Sequence, residues 1–349
     1  MEEVVIIDVV IIGLVLCGSA SLTGLVRRYA IRNHLMDHPN SRSSHSIPTP
    51  RGGGLGIVVT FTLALIYFVL SNQLEVKIFL ALAGGGGLVA VIAYWDDHQS
   101  LSVKTRIPGY FVAAVWATMW INGIPHLDMG VTIWNWGWLG HIVSILGIMW
   151  LLNLYNFMDG IDGFASSEAI FASGIGGILL LEAGEKGLGL TSLALAAACV
   201  GFLSWNWPPA KIFMGDVGSI FLGYVLGVLA IVSDQKSDVS LWIWLILLSV
   251  FIVDATVTLL RRLLQGEKVY EAHRSHAYQH ATTVVDSHLK VTLSVIGINL
   301  LILVPLALIA LNWPKASLLA AGTAIKLLTI TALHFDAGIE TKKEDDNST

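Results

Sequence analysis

Runs of about 20 predominantly apolar residues recur along almost the whole chain, and that is the length an α-helix needs to cross the hydrocarbon core of a bilayer. Eleven runs can be marked, at 4–26, 53–71, 77–94, 107–122, 139–155, 165–182, 187–204, 217–233, 241–260, 291–311 and 316–334. In lipid the backbone must satisfy its own hydrogen bonds within each segment, which favours helices. The expected fold is an all-α polytopic membrane bundle of about eleven transmembrane helices. Composition agrees: 55% of the 349 residues are apolar and only 13% are charged, against roughly 25% charged in a soluble domain. A mean hydropathy of +0.72 excludes a soluble enzyme, a disordered chain and a disulfide scaffold. Cys17 and Cys199 fall inside apolar runs and read as packing residues. The first run lacks a basic leader and a small-residue cleavage site, so it reads as a retained helix. The net charge of −5 gives no reason to expect nucleic acid as a partner.

Orientation follows from lysine and arginine placement. With the N-terminus periplasmic, 15 of the 20 basic residues fall in cytoplasmic segments. Four stay outside (Lys77, Lys186, Lys236 and Lys315), and Lys326 falls within the last run. The C-terminus is then cytoplasmic, as are the polar segments 37–52, 95–106, 153–163, 205–219 and 262–290. Residues 1–335 read as one transmembrane catalytic domain and 336–349 as a polar cytoplasmic tail. The longest outside loop, 123–138, places Trp134, Trp136 and Trp138 at alternate positions, a strand-like or interfacial pattern. Glycine clusters inside the runs, at 84–87 and 174–177, suit close helix packing. No internal repeat is evident, which weakens a transporter reading.

Five constellations lie on the cytoplasmic side. Asp96-Asp97 ends the third run. Adjacent carboxylates at a membrane edge call for a compensating cation or proton, and Mg²⁺ takes one or two carboxylates plus phosphate oxygens; the plain alternative is a solvated helix end. In NLYNFMDGIDGFA, Asn153, Asn156, Asp159 and Asp162 recur every third residue, with Gly160 and Gly163 permitting close backbone approach; a capping turn would need only one such side chain. Asp216 sits between Gly215 and Gly218 at the start of a run, where an acid and backbone N–H groups can hold a metal and phosphate oxygens; an N-cap is the alternative. His273, His276 and His280 would share a helix face, and with Arg274 they suit a diphosphate better than zinc, since no HExxH pattern or nearby Cys accompanies them. Arg42, His45 and Arg51 with three glycines form a basic loop, either a phosphate cradle or a positive-inside anchor. Asp254, inside the ninth run, is a functional candidate by position or a buried structural acid.

The segments PTPRGGGLG, DDHQSLSVK, NLYNFMDGIDG, NWPPAKIFMGDVGS and AHRSHAYQH, spread over residues 48–280, resemble in order those of the polyprenyl-phosphate N-acetylhexosamine-1-phosphate transferase family. The last segment is nearer the WecA and WbpL branch than the peptidoglycan-precursor MraY branch, whose loop carries consecutive histidines. The resemblance implies transfer of N-acetylhexosamine 1-phosphate from a UDP-sugar, either GlcNAc or a 6-deoxy amino sugar such as FucNAc or QuiNAc, to undecaprenyl phosphate. UMP would leave, and a lipid-linked cell-envelope glycan of O-antigen type would begin in the bacterial inner membrane. It implies Mg²⁺, with Mn²⁺ as a substitute, and it admits a homodimer. Asp216, with Asp97, matches the metal-binding acids. Asp96 and Asp97 match an acid pair serving the lipid phosphate, and Lys104 a phosphate-side lysine. Asn153, Asn156, Asp159 and Asp162 match the nucleotide-side motif, Phe213 a uracil-stacking ring and Asn206 an amide near it. His273, Arg274 and His276 match the loop that meets diphosphate and sugar, with His45 and Arg51 joining the substrate side. A peptidoglycan-precursor transferase and an ion-coupled transporter are the alternatives.

Overall fold

The computed structural model describes residues 2–39, 45, 47–99, 101–130, 132–267 and 273–339. Helix α1 (Glu2–Arg32) leads to a short antiparallel ladder of β1 (Met36–Asp37) and β2 (Thr49–Pro50), then α2 (Leu55–Leu70). Helix α3 (Val76–Phe79) runs through a π-helical turn (Leu80–Gly85) into α4 (Gly86–Gln99), followed by α5 (Val103–Ile121). A hairpin of β3 (His126–Asp128) and β4 (Ile133–Asn135) precedes α6 (Leu139–Phe157), α7 (Phe164–Glu182), α8 (Lys186–Asn206) and α9 (Asp216–Lys236). The rest comprises α10 (Leu241–Leu247), α11 (Ser249–Leu264), α12 (Ala277–Val285), α13 (His288–Ile298), a second π-helical turn (Asn299–Leu303), α14 (Val304–Asn312) and α15 (Ser317–His334).

Every expected apolar run falls on a helix, and among the described residues the only strands are those of two small ladders. Among the described residues, eight helical stretches are long and apolar enough to cross a membrane, or nine if the α10–α11 pair counts as one. The run expected at 241–260 falls on that pair and is bent. The chain bends by 76° at a single residue, Leu248, whose ψ of 5° interrupts the helical ladder. No proline or glycine marks the break in the sequence, so periodicity alone does not reveal it.

Helix α9 is the axis of the bundle, with 94% of its apolar window buried. It packs on α6 and α4, and small residues permit this: a Cβ on Gly223 would lie 2.5 Å from the Leu151 carbonyl oxygen. The glycine run at 84–87 serves the same end, with Gly85 beneath the Tyr224 hydroxyl and Gly86 beneath the Phe221 ring. Over its 21 residues α9 spans ~30 Å at the helical rise. Its far end is fastened by Gln235, whose amide donates to the Ile121 carbonyl at 2.8 Å. At that end lies the β3–β4 hairpin, with Trp134 and Trp138 exposed, so the alternating tryptophans do fall on and beside a strand.

Two boundary expectations change. The segment 262–290 is not a plain loop but holds α12 and the first turn of α13; its part 268–272 lies outside the described residues. The tail does not leave at 336, because the Arg261 guanidinium donates to the Ala337 carbonyl at 2.6 Å and the Gly338 N–H to Ser275 O at 2.6 Å. Residues 340–349 lie outside the described residues.

Candidate active site

At the α9 N-terminus the ends of α4 and α6 and the turns 158–163 and 207–215 surround a polar cavity of about 290 Å³. Its wall includes His45, Arg51, Asp97, Asn156, Asp159 and Asp162, together with Asn206, Phe213 and Asp216. Residues from four of the sequence constellations thus converge on one space.

The aspartate pair divides its work. Successive helical residues point ~100° apart, so only one can face α9. Asp97 does: its two oxygens accept the N–H groups of Asp216 and Val217, each at 3.1 Å. The Asp97 carboxylate therefore sits on the positive end of α9, and the Arg51 guanidinium donates to the Asp97 carbonyl. Asp96 turns away from the cavity. It accepts the Leu101 N–H at 2.7 Å and the Arg106 guanidinium at 2.6 Å. Arg106 also stands 3.7 Å from the Asp216 carboxylate, whereas the basic residue of this segment expected on the phosphate side is Lys104. Two residues apart on α5, the two side chains point ~200° apart, and Lys104 is exposed and outside the cavity wall.

In the 153–163 motif three of the four polar residues line the cavity. Asn156 donates to the Asp216 carboxylate at 2.8 Å and to the Ser219 hydroxyl at 3.0 Å. Asp162 accepts the Ala210 N–H at 3.0 Å and faces His288 Nδ1 at 3.4 Å. Asp159 has no hydrogen-bond partner for its carboxylate among the described residues. Burial, and then the charges of Asp216, Asp97 and Asp162, hold it well above the usual carboxylate range. Asn153 does not reach the cavity: one turn further back on α6, it donates to the Met149 carbonyl at 2.7 Å.

The opposite wall is built by close backbone packing. Phe213 pairs with Pro50, its N–H reaching the Pro50 carbonyl at 2.8 Å, and Gly54 donates to the Met214 carbonyl at 2.9 Å. The glycines of the basic loop are seams here and not a slack cradle: a Cβ on Gly54 would overlap the Gly218 Cα, and one on Gly53 would meet the Phe202 ring at 2.7 Å. His45 packs edge-on to Phe213 at 4.8 Å between ring centroids; Arg42 lies outside the described residues. Asn206 is a brace. Its oxygen accepts the Gly163 N–H at 3.0 Å and its NH₂ donates to the Ile212 carbonyl at 3.0 Å.

His273, Arg274 and His276 stand beside the cavity without lining it. They precede α12 in non-helical backbone, so the expected helical face of His273, His276 and His280 does not form. The His273 and His276 rings lie 4.9 Å apart and pack over Phe157. Burial, then His276 and Arg262, push His273 down to about 3, so it is neutral at physiological pH and offers hydrogen bonds, not charge. Sequence reasoning missed Asp37, Gln279 and His288, which line the cavity. His288 follows an N-cap serine and belongs to no motif, so no local signal marked it.

Among the described residues no group of three or more His, Cys, Asp or Glu side chains is placed to hold a metal ion by itself. The donor set instead fits a hard cation that shares its coordination with substrate phosphates. Asp216 and Asp159 line the cavity together with Asp97, and the charges acting on Asp159 are those of other acids.

Comparison with known proteins places the chain in a family. The family model described as glycosyl transferase family 4 matches residues 78–234. A decaprenyl-phosphate N-acetylglucosaminephosphotransferase of Mycolicibacterium smegmatis is 31% identical over 78% of this chain and 74% of its own length. A probable undecaprenyl-phosphate N-acetylglucosaminyl 1-phosphate transferase of Bacillus subtilis is 28% identical over 76% and 75%. A phospho-N-acetylmuramoyl-pentapeptide-transferase of Moorella thermoacetica is 30% identical over 63% and 72%. The chain belongs to glycosyl transferase family 4, the polyprenyl-phosphate N-acetylhexosamine-1-phosphate transferases whose motifs its sequence carries.

Proposed function

We propose that this membrane phospho-sugar transferase moves N-acetylhexosamine 1-phosphate from a UDP-sugar to undecaprenyl phosphate at the cytoplasmic face of the bacterial inner membrane, releasing UMP. The observation that carries the proposal is the convergence of Asp97, Asn156, Asp159, Asp162 and Asp216 with Arg51 and Phe213 on one cavity at the helix ends. A transporter site would sit nearer the middle of its spans. UDP-GlcNAc is the first donor to test, since the relatives' names specify N-acetylglucosamine; a 6-deoxy amino sugar and an O-antigen-type product follow from the loop resemblance.

Phosphoryl transfer calls mainly for positioning and for neutralising oxygen charge. Asp216 and Asp159, with Asp97 behind them, would hold Mg²⁺, which when bound supplies that neutralisation on the diphosphate. The Phe213 ring offers a face for the uracil. Arg51 and His45 offer donors to phosphate. Arg106, held by Asp96, fixes Asp216 from the far side. A lipid phosphate monoester, whose second pKa lies near ~6, reaches the site largely as a dianion and attacks directly. The test is purified protein with Mg²⁺, undecaprenyl phosphate and a panel of UDP-sugars. UMP should appear only when lipid phosphate and a UDP-N-acetylhexosamine are both present. Release without the lipid, or none with any donor, overturns the proposal.

A further inference from the structure

Asp254 takes no part in the chemistry above, yet it is buried at 6% exposure and makes more polar contacts than a stray membrane acid needs. Its two oxygens accept the N–H groups of Ala277 and Tyr278, each at 2.9 Å. The Thr258 hydroxyl donates to it at 3.2 Å. His276 Nδ1 lies 3.3 Å away. A carboxylate only accepts, so Nδ1 carries a proton in that contact. The other ring nitrogen, Nε2, is buried and has no hydrogen-bond partner among the described residues.

The segment Asp254 holds is the one that meets the cavity. The Tyr278 hydroxyl donates to the Phe157 carbonyl at 3.0 Å, directly before the turn that carries Asp159. A Cβ on Gly160 would overlap that same hydroxyl. Gln279, one residue on, lines the cavity, and its Oε1 accepts the His276 N–H at 3.2 Å. We infer that Asp254 is a positioning residue for the donor. By fixing the first turn of α12 and the proton on His276, it sets the wall that Gln279 and the 159–162 turn present to the UDP-sugar. The inference rests on the transferase reading.

Asparagine at 254 keeps one acceptor but turns an NH₂ group against a backbone N–H. A variant that merely lost folded protein would lower kcat and leave KM alone, so the split between them is the readout. With Asp254→Asn, KM for UDP-GlcNAc should rise about tenfold, the loss expected for one or two hydrogen bonds, while KM for undecaprenyl phosphate stays within about twofold. The first-turn amides of α12 should exchange with deuterium about tenfold faster by the same reasoning, with α9 unchanged. Asp254→Glu, which keeps the charge, should recover most of the donor KM. An unchanged donor KM, or equal rises for both substrates, overturns the inference. If Asp254→Asn does not purify, Tyr278→Phe cuts the link to Phe157 and should raise donor KM about threefold; no rise overturns the inference. A wild-type protein that releases no UMP overturns the transferase reading itself, and this inference falls with it.

Discussion

The two ends of α9 treat charge in opposite ways. At the far end two acids are held by cations. Buried Asp8 meets Lys186 at 2.7 Å and Gln73 at 3.1 Å, and Glu75 meets Lys236 and Lys77. At the near end Asp97, Asp159, Asp162 and Asp216 crowd one cavity, and the charges acting on Asp159 are all acidic. Polar groups at the far end staple helices together. Those at the near end line the one cavity in which the proposed transfer would take place.

The sharpest way to break this contrast is Asp216→Asn. Transfer should fall by ~10³-fold, the scale of losing a principal electrostatic group at a reacting phosphate, while the protein still inserts and purifies; near-full UMP release would show that the acid is only a helix cap. Next comes Asp159→Asn, with a loss of ~10²-fold and an opposite effect on stability. Because the folded state raises the Asp159 carboxyl above its ordinary value, its contribution to stability is intact below about pH 4 and is lost as pH rises through the folded value. Without Mg²⁺ the thermal midpoint of the wild type relative to Asp159→Asn should therefore drop between acid and neutral pH, and added Mg²⁺ should shrink the gap. A gap that does not depend on pH breaks the argument.

A smaller effect separates two basic neighbours. Arg106→Gln should lower kcat/KM by ~10-fold, as expected for a lost charge-assisted contact, whereas exposed Lys104→Gln should change it less than ~2-fold. The reverse order would restore the sequence reading. Least of all in catalysis, Lys186→Met at the far end should leave turnover untouched while destabilising the fold by ~1–2 kcal/mol through uncompensated Asp8, seen as a lower thermal midpoint. A fall in activity there would mean that the two ends are coupled.

These pairs also show what was legible beforehand. The helices were, because hydrocarbon imposes a length of apolar chain that no other element can use. The acids of the cavity were, because NxxNxxDGxDG and GDVGS concentrate groups that packing does not require. Which member of a pair faces inward was not: Asp96 against Asp97, or Lys104 against Arg106, is settled by helix phase relative to α9, a tertiary quantity. The same holds for His288 and Gln279, brought to the cavity by α12 and α13, whose bounds the sequence does not mark. The bend at Leu248 lacks any breaker residue and is set by what α10 and α11 pack against.

The Gly54–Gly218 seam has a consequence for how such a protein can change. Where two main chains touch with no side chain between them, there is no conservative replacement. The smallest possible addition, one methyl group, would wedge the basic loop off the α9 N-terminus and carry Phe213 and Asp216 with it. The walls of the cavity can drift to suit a new sugar, but the hinge line on which both walls hang tolerates no drift at all.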